Sequence, residues 1–296
     1  MELRGAYTAI VTPFGASGAV DEERLRELVE AQIAGGIDGI VPCGTTGESP
    51  TLSHEEHIHV IELVVQFVNG RCAVIAGTGS NSTQEAIELT QEAKRVGANA
   101  SLQVSPYYNK PTQEGLYQHF RKIAEEGGLP IIIYDIPGRC GVGVSIDTLV
   151  RLRNDLPQQV IGLKEATGTT ERIATLRALL GKDFSILSGD DSLTLPMMSL
   201  GADGVISVAS NIVPREVRDM VHAALDGDFS RAREVNARLT PVFKDLFIET
   251  NPIPVKAALA MAGRIQETYR LPMTRMGEQN RARLEATLRK VGFLRS

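Results

Sequence analysis

The sequence contains no tryptophan and only three cysteines. Cys43, Cys72 and Cys140 are scattered and form no C-x-x-C pair, which argues against a disulfide framework or a zinc ribbon and fits a reducing, cytoplasmic setting. No apolar run approaches the roughly 18–20 residues that a bilayer span requires, so no membrane association is expected. Met1-Glu2-Leu3-Arg4-Gly5 does not read as a basic-then-apolar leader and Pro13 interrupts the next apolar stretch, so no export signal is expected either. Positive charge is also in short supply. Against 36 Asp and Glu stand 31 Lys and Arg, a formal net charge of -5, which is not the basic balance of a nucleic-acid binder. With 43% hydrophobic and 23% charged residues, long disorder is excluded. The length of 296 residues allows two domains, or one large barrel with an appendage.

What the chain does have is glycine, 28 residues of it, set mostly beside short apolar runs. Those runs predict strands over 6–11, 39–42, 73–76, 100–104, 131–134, 160–163, 184–187 and 204–208. They are apolar without clean alternation, as parallel strands covered on both faces should be. Between them lie amphipathic segments opened by Asp21, Ser53, Ser82 and Thr112, each with an acidic residue close behind. Eight such units in succession predict a (β/α)8 TIM barrel. An open nucleotide-binding sheet would place G-x-G-x-x-G after its first strand, where Thr12-Pro13-Phe14-Gly15 stands instead. Helices over 229–246, 254–261 and 277–291 come next, without a strand. The organisation read from this is a catalytic barrel over 1–226 and a C-terminal helical appendage over 227–296.

In such a barrel the chemistry gathers at the carboxyl ends of the strands. Those ends carry Gly44-Thr45-Thr46-Gly47-Glu48-Ser49, Tyr107-Tyr108-Asn109, Tyr134-Asp135-Ile136-Pro137-Gly138-Arg139, Lys164-Glu165 and Gly189-Asp190-Asp191. Lys164 ends an apolar run, so it is expected at the barrel mouth. A lysine kept dry there loses its proton near neutral pH and can attack a carbonyl to form a Schiff base. Tyr134, on the preceding strand, is expected level with Lys164 and able to relay protons together with a threonine hydroxyl. The Thr45-Thr46 loop suits a small carboxylate, and Arg139, on a loop after Pro137-Gly138, could grip another. His54 and His57 share a helix face, but no strand end supplies the further ligands a metal would need, so no metal is expected.

With these motifs in this order, the chain resembles the class I pyruvate-dependent aldolases of the dihydrodipicolinate synthase / N-acetylneuraminate lyase superfamily over essentially its whole length. Within it the double-Thr loop, Ser105-Pro106-Tyr107-Tyr108-Asn109 and Pro137-Gly138-Arg139 are similar to the branch that joins pyruvate to L-aspartate 4-semialdehyde on the lysine (diaminopimelate) route. The resemblance implies that Lys164 carries pyruvate as a Schiff base with no other cofactor. It implies a proton relay of Tyr134, Thr45 and Tyr108, the last supplied across a dimer interface. It also implies that Thr45 and Thr46 hold the pyruvate carboxylate, that Arg139 binds the semialdehyde, and that Gly189 and the Ile206 backbone line the pocket. A homotetramer is implied, as is a lysine feedback site formed by Ser49, His54, His57, Asn81, Glu85 and Tyr107. Two residues depart from the common pattern. Asp135 is expected to place a carboxylate in the field of Tyr134, and Pro50 stands where a small alanine is frequent in lysine-sensitive members. Two other readings remain open from the sequence. Sister aldolases for N-acetylneuraminate or a keto-deoxy sugar acid share the lysine and tyrosine without a need for Arg139, and a catalytically silent barrel could bind lysine as a sensor.

Overall fold

The computed structural model describes residues 3–294. Several of its helices begin where a side-chain oxygen can satisfy a free backbone N–H. Asp21 accepts from the Arg24 amide at the start of the helix Glu22–Ala34, and Ser82 does the same for Glu85 ahead of Thr83–Arg95. Ser53 and Glu56 form a reciprocal capping box before His54–Val68, and Thr112 accepts from Gly115 before Gln113–Glu126.

Between the helices run β1 (Gly5–Ala9), β2 (Gly39–Val41), β3 (Ala73–Gly77), β4 (Ala100–Val104), β5 (Ile131–Asp135), β6 (Val160–Glu165), β7 (Ser185–Ser188) and β8 (Gly204–Ser207). Every expected strand is present, with its ends displaced by no more than two residues. Neighbours pair in parallel in chain order and β8 pairs with β1, so the sheet closes on itself as a TIM barrel. Closure leaves two apolar layers, because successive side chains point to opposite faces. Tyr7, Val41, Ile75, Leu102, Ile132, Leu187 and Ile206 fill the interior. Ile40, Val74, Ile131, Ile133, Leu163 and Val205 face the surrounding helices. The alternation is broken once along the β5–β6 pair. Ile131 pairs with Val160 but Ile132 pairs with Gly162, so one residue of β6 is bulged.

After β8 the helix Pro214–Leu225 covers the sheet, and Phe229–Asp245, Ile253–Met261 and Glu278–Lys290 form the helical tail. The tail reaches back over the barrel mouth. Lys256 forms a buried ion pair with Glu48, and Arg270 grips Glu56 with both terminal nitrogens, at 2.6 and 2.8 Å. Among the described residues no helix is long and apolar enough to cross a membrane.

The tightest backbone approach is at the seam that closes the barrel. Gly204 lies at φ +151°, and a Cβ there would sit 1.9 Å from the carbonyl oxygen of Gly5. Only glycine fits both the dihedral and the space. Gly204→Ala is therefore expected to lower the free energy of unfolding by at least about 3 kcal/mol, measured by urea titration, because the β1–β8 strands must part to admit the methyl group. A loss below about 1 kcal/mol would show that the seam is not fixed there.

Candidate active site

The register of the sheet decides which side chains meet at the mouth. Tyr134 and Lys164 are direct partners across β5 and β6 and both point inward, as expected. Lys164 is only 6% exposed, and its Nζ lies 4.1 Å from the centre of the Tyr134 ring. Burial pulls the amine down to about 7; the carboxylate of Asp191 resists this and the guanidinium of Arg139 adds to it. Burial thus favours the neutral amine, the form of lysine that can act as a nucleophile, far more than at an exposed lysine. Room for its side chain comes from Gly189, where a Cβ would stand 2.8 Å from Ala166 Cβ and 3.1 Å from Lys164 Cε.

The same burial pushes the phenol of Tyr134 up to about 12, with Arg139 and a hydrogen bond from the Thr45 hydroxyl pulling back. Tyr134 is thus a neutral phenol across the physiological range, suited to passing a proton along a chain with Thr45 and unsuited to removing one alone. Thr45 and Thr46 lie on the turn after β2. Thr46 is buried, and its hydroxyl accepts from Asn251 Nδ2 at 3.0 Å. Thr12 Oγ1 donates to the Gly47 carbonyl at 2.7 Å and holds the turn from below.

Arg139 does not lie on a loop as expected. Pro137–Cys140 is a single helical turn with proline at its first position, which favours that start. The guanidinium projects from this turn over the mouth and donates to the Asn251 carbonyl at 3.1 Å. Ile206, on β8, faces the barrel interior and is 1% exposed.

Two residues stand away from the lysine of their own chain. Tyr108 is 91% exposed, with φ +71°, and is not brought to Lys164. Its loop is held outward by Asn81, whose Nδ2 donates to the Tyr107 carbonyl at 3.2 Å, and by Asn109, whose Nδ2 donates to the Asn81 carbonyl at 2.9 Å. Asp135 lies next to Tyr134 in β5 but on the opposite face of the sheet. Being next in the strand it points outward, where Arg172 pairs with it at 2.9 Å and with Glu165 at 3.2 Å. Burial raises the Asp135 carboxyl to about 6 in spite of Arg172.

A cavity of about 390 Å³ runs from Thr45 and Arg139 to Ser49, His54, His57, Glu85 and Tyr107. His54 Nε2 is 2.5 Å from Glu85 Oε1. His57 Nε2–H donates to the Gly77 carbonyl at 2.6 Å, and burial lowers its pKa while that hydrogen bond opposes the shift. The two histidines do not converge on one point, since His54 turns to Glu85 and His57 to the backbone. Asn81 reaches this group through Tyr107, and Pro50 is part of the cavity wall.

At the mouth, the part played by Asn251 and the bonds made by Asp191, a residue already named at the end of its strand, had not been anticipated. Asn251 joins Thr46 to Arg139, and the buried carboxylate of Asp191 accepts from Ser207 Oγ and from the amides of Val208 and Ala209 at 2.5, 3.0 and 2.9 Å. The available signal for the tail was Lys256, a lone charge in the apolar run Ile253–Met261 that would need a buried partner.

Known proteins share this arrangement over its full extent. A family model described as the dihydrodipicolinate synthetase family matches residues 2–291. The 4-hydroxy-tetrahydrodipicolinate synthase of Nitratidesulfovibrio vulgaris strain DP4 is 52% identical over 294 residues, covering 99% of this chain and 100% of that protein. The crystal structure of dihydrodipicolinate synthase from Aquifex aeolicus superposes with a TM-score of 0.96 at 52% identity, over 98% of this chain and 99% of that one. That of the Cyanidioschyzon merolae enzyme with lysine bound gives 0.95 at 40% identity, over 98% and 99% of the two chains. The likeness runs through barrel, mouth and tail alike, and the chain belongs to the dihydrodipicolinate synthetase family.

Proposed function

We propose that the protein condenses pyruvate with L-aspartate 4-semialdehyde to give 4-hydroxy-tetrahydrodipicolinate, the first committed step of the lysine (diaminopimelate) branch, in the cytoplasm. The observation that carries this is the dry Lys164 amine, held near neutrality against the face of Tyr134. The free amine adds to the keto carbon of pyruvate and water leaves, giving an iminium that acts as the electron sink, with no other cofactor. A methyl proton then departs along Thr45 and Tyr134, and the resulting enamine attacks the aldehyde carbon. The amino group of the semialdehyde finally displaces Lys164 from the iminium carbon, closing the ring and freeing the lysine. One water is lost overall. Thr45 and Thr46 would hold the pyruvate carboxylate, Arg139 that of the semialdehyde, and Gly189 and the Ile206 backbone would line the space between.

Tyr108 completes the relay in this reading by reaching the site of a second copy, within a homotetramer built as a dimer of dimers. Its exposure and strained backbone on a loop pinned by Asn81 and Asn109 support that role. Residues 1–226 would form the catalytic barrel and 227–296 its helical appendage. The cavity around Ser49, His54, His57, Asn81, Glu85 and Tyr107 would take lysine, with Glu85 facing an ammonium group. The lysine-bound relative from Cyanidioschyzon merolae supports this.

Borohydride reduction in the presence of pyruvate should add a pyruvate-derived mass to the peptide containing Lys164. An unmodified Lys164 would overturn the mechanism, and an assay offering each acceptor aldehyde should show turnover with the semialdehyde. Because attack needs the neutral amine and the amine sits at about 7, kcat/KM for pyruvate should rise about tenfold per pH unit below that value and level off above it. A profile flat from pH 5.5 to 8, on the order of the range where the amine titrates, would contradict the depressed lysine. Lys164→Ala and Tyr108→Phe should each be nearly inactive. Mixed and reassembled in equal amounts, they should recover about a quarter of wild-type activity, since half the pairs are mixed and each mixed pair has one intact site. No recovery would place Tyr108 outside the partner's site.

A further inference from the structure

We propose that Lys256 is a positioning residue for pyruvate: its buried ion pair with Glu48 sets the shape of the Thr45-Thr46 turn, so the helical tail takes part in substrate binding. The proposal rests on the reading of that turn as the pyruvate-carboxylate site.

Glu48 is 2% exposed and occupies the left-handed region at φ +54°, which a residue with a side chain enters at a cost of about 1–2 kcal/mol. Something must hold it there. Its carboxylate accepts from Lys256 Nζ through one oxygen and from the Arg270 amide, at 3.4 Å, through the other. Lys256 is fully buried, with its Nζ 4.3 Å from the centre of the Phe14 ring and 5.3 Å from that of Tyr269. The ammonium group is therefore walled by aromatic faces, and among the described residues its one ion-pair partner is Glu48.

The turn that this pair constrains is short. The Glu48 amide donates to the Thr45 carbonyl at 3.1 Å, so the strained residue is bonded directly to the threonine that touches Tyr134. At the next position Thr46 is held by Asn251, which lies five residues before Lys256 in the same tail segment. Both threonines are thus referenced to the tail. A buried ion pair is a poor source of net stability, because the cost of desolvating two charges offsets their attraction and apolar replacements of both partners are often tolerated. What such a pair does deliver is direction: a carboxylate in a dry pocket has a single low-energy place to go.

The test is the double variant Glu48→Gln/Lys256→Met, which removes both charges at nearly constant volume, studied as the full chain. It should keep its Tm within about 5 °C of wild type. The kcat/KM for pyruvate should fall about 10- to 100-fold through KM, as expected when a binding group is displaced by a fraction of an ångström. At saturating pyruvate kcat should fall by a smaller factor, because Thr45 also stands in the proposed relay; the KM for the semialdehyde should stay within about twofold, and borohydride should still trap pyruvate on Lys164. An unchanged pyruvate KM in the folded variant overturns the proposal. So does a parallel loss of kcat and of both KM values, which is the signature of a general loosening. Should the double variant fail to fold, Lys256→Arg carries the same test, since it keeps the charge and alters only the reach of the donor: a raised pyruvate KM supports the role and an unchanged one refutes it. Wild-type protein that traps no pyruvate would fail the underlying mechanism itself, a result distinct from a defect confined to the variants.

Discussion

The cost of keeping an ammonium group out of water shapes the centre of this protein. A closed sheet of eight strands packs its own interior with apolar side chains, and the one opening that matters is capped by loops and by the tail. Lys164 ends its strand in that opening. Water is scarce there, and the near contact is an aromatic face in place of a carboxylate, so the proton is held weakly. Asp191 keeps the shift from running further, and it is itself pinned by three hydrogen bonds that leave it little freedom to approach. The barrel supplies dryness, the strand register supplies Tyr134, and Gly189 supplies space. Remove any of these and the lysine becomes an ordinary surface cation.

Other charges buried in the same molecule are treated differently. Asp135 and Glu165, outside the sheet, share Arg172, and Glu48 has Lys256. These groups are compensated, as burial demands when a charge must persist. The contrast is chemically sensible. Ion pairs fix geometry, whereas an amine that is to react, as proposed for Lys164, needs a partner weak enough to let the proton go. The phenol beside it is driven the opposite way by the same desolvation, toward its neutral form, so both groups are drawn toward the uncharged state that the proposed relay through Thr45 would use.

Much of this was legible in the sequence because it is local. Strand runs, helix caps and the residues at strand ends arise from short-range patterns, and Lys164, Tyr134, Thr45 and Thr46 stand where those patterns put them. Relations between distant segments were not legible. Asn251 meets Thr46 across 205 positions, and Lys256 meets Glu48 across 208. Arg139 was misread as a loop residue because a proline followed by glycine suggests a bend, although proline also starts helices. The partner of Asp135 was not legible either, because Arg172 lies on another element. Tyr108 depends on a second chain in the proposed scheme, which no property of one chain's folding could reveal.

The bulge in β6 has a consequence of its own. Val160 faces the helices and Ile161 the interior, so strict alternation would turn Lys164 outward and leave Leu163 in the barrel. The extra residue opposite β5 reverses that parity, putting Leu163 outside and Lys164 within. In this strand the protein keeps something like a reading frame. The bulge is one residue of slack in that frame: a single deletion between Val160 and Leu163 would remove it, restore strict alternation and still carry Lys164 into the barrel. The phase at the mouth is therefore set after the bulge, by Leu163 outside and Lys164 within, and the strand can shed its extra residue without exchanging one for the other.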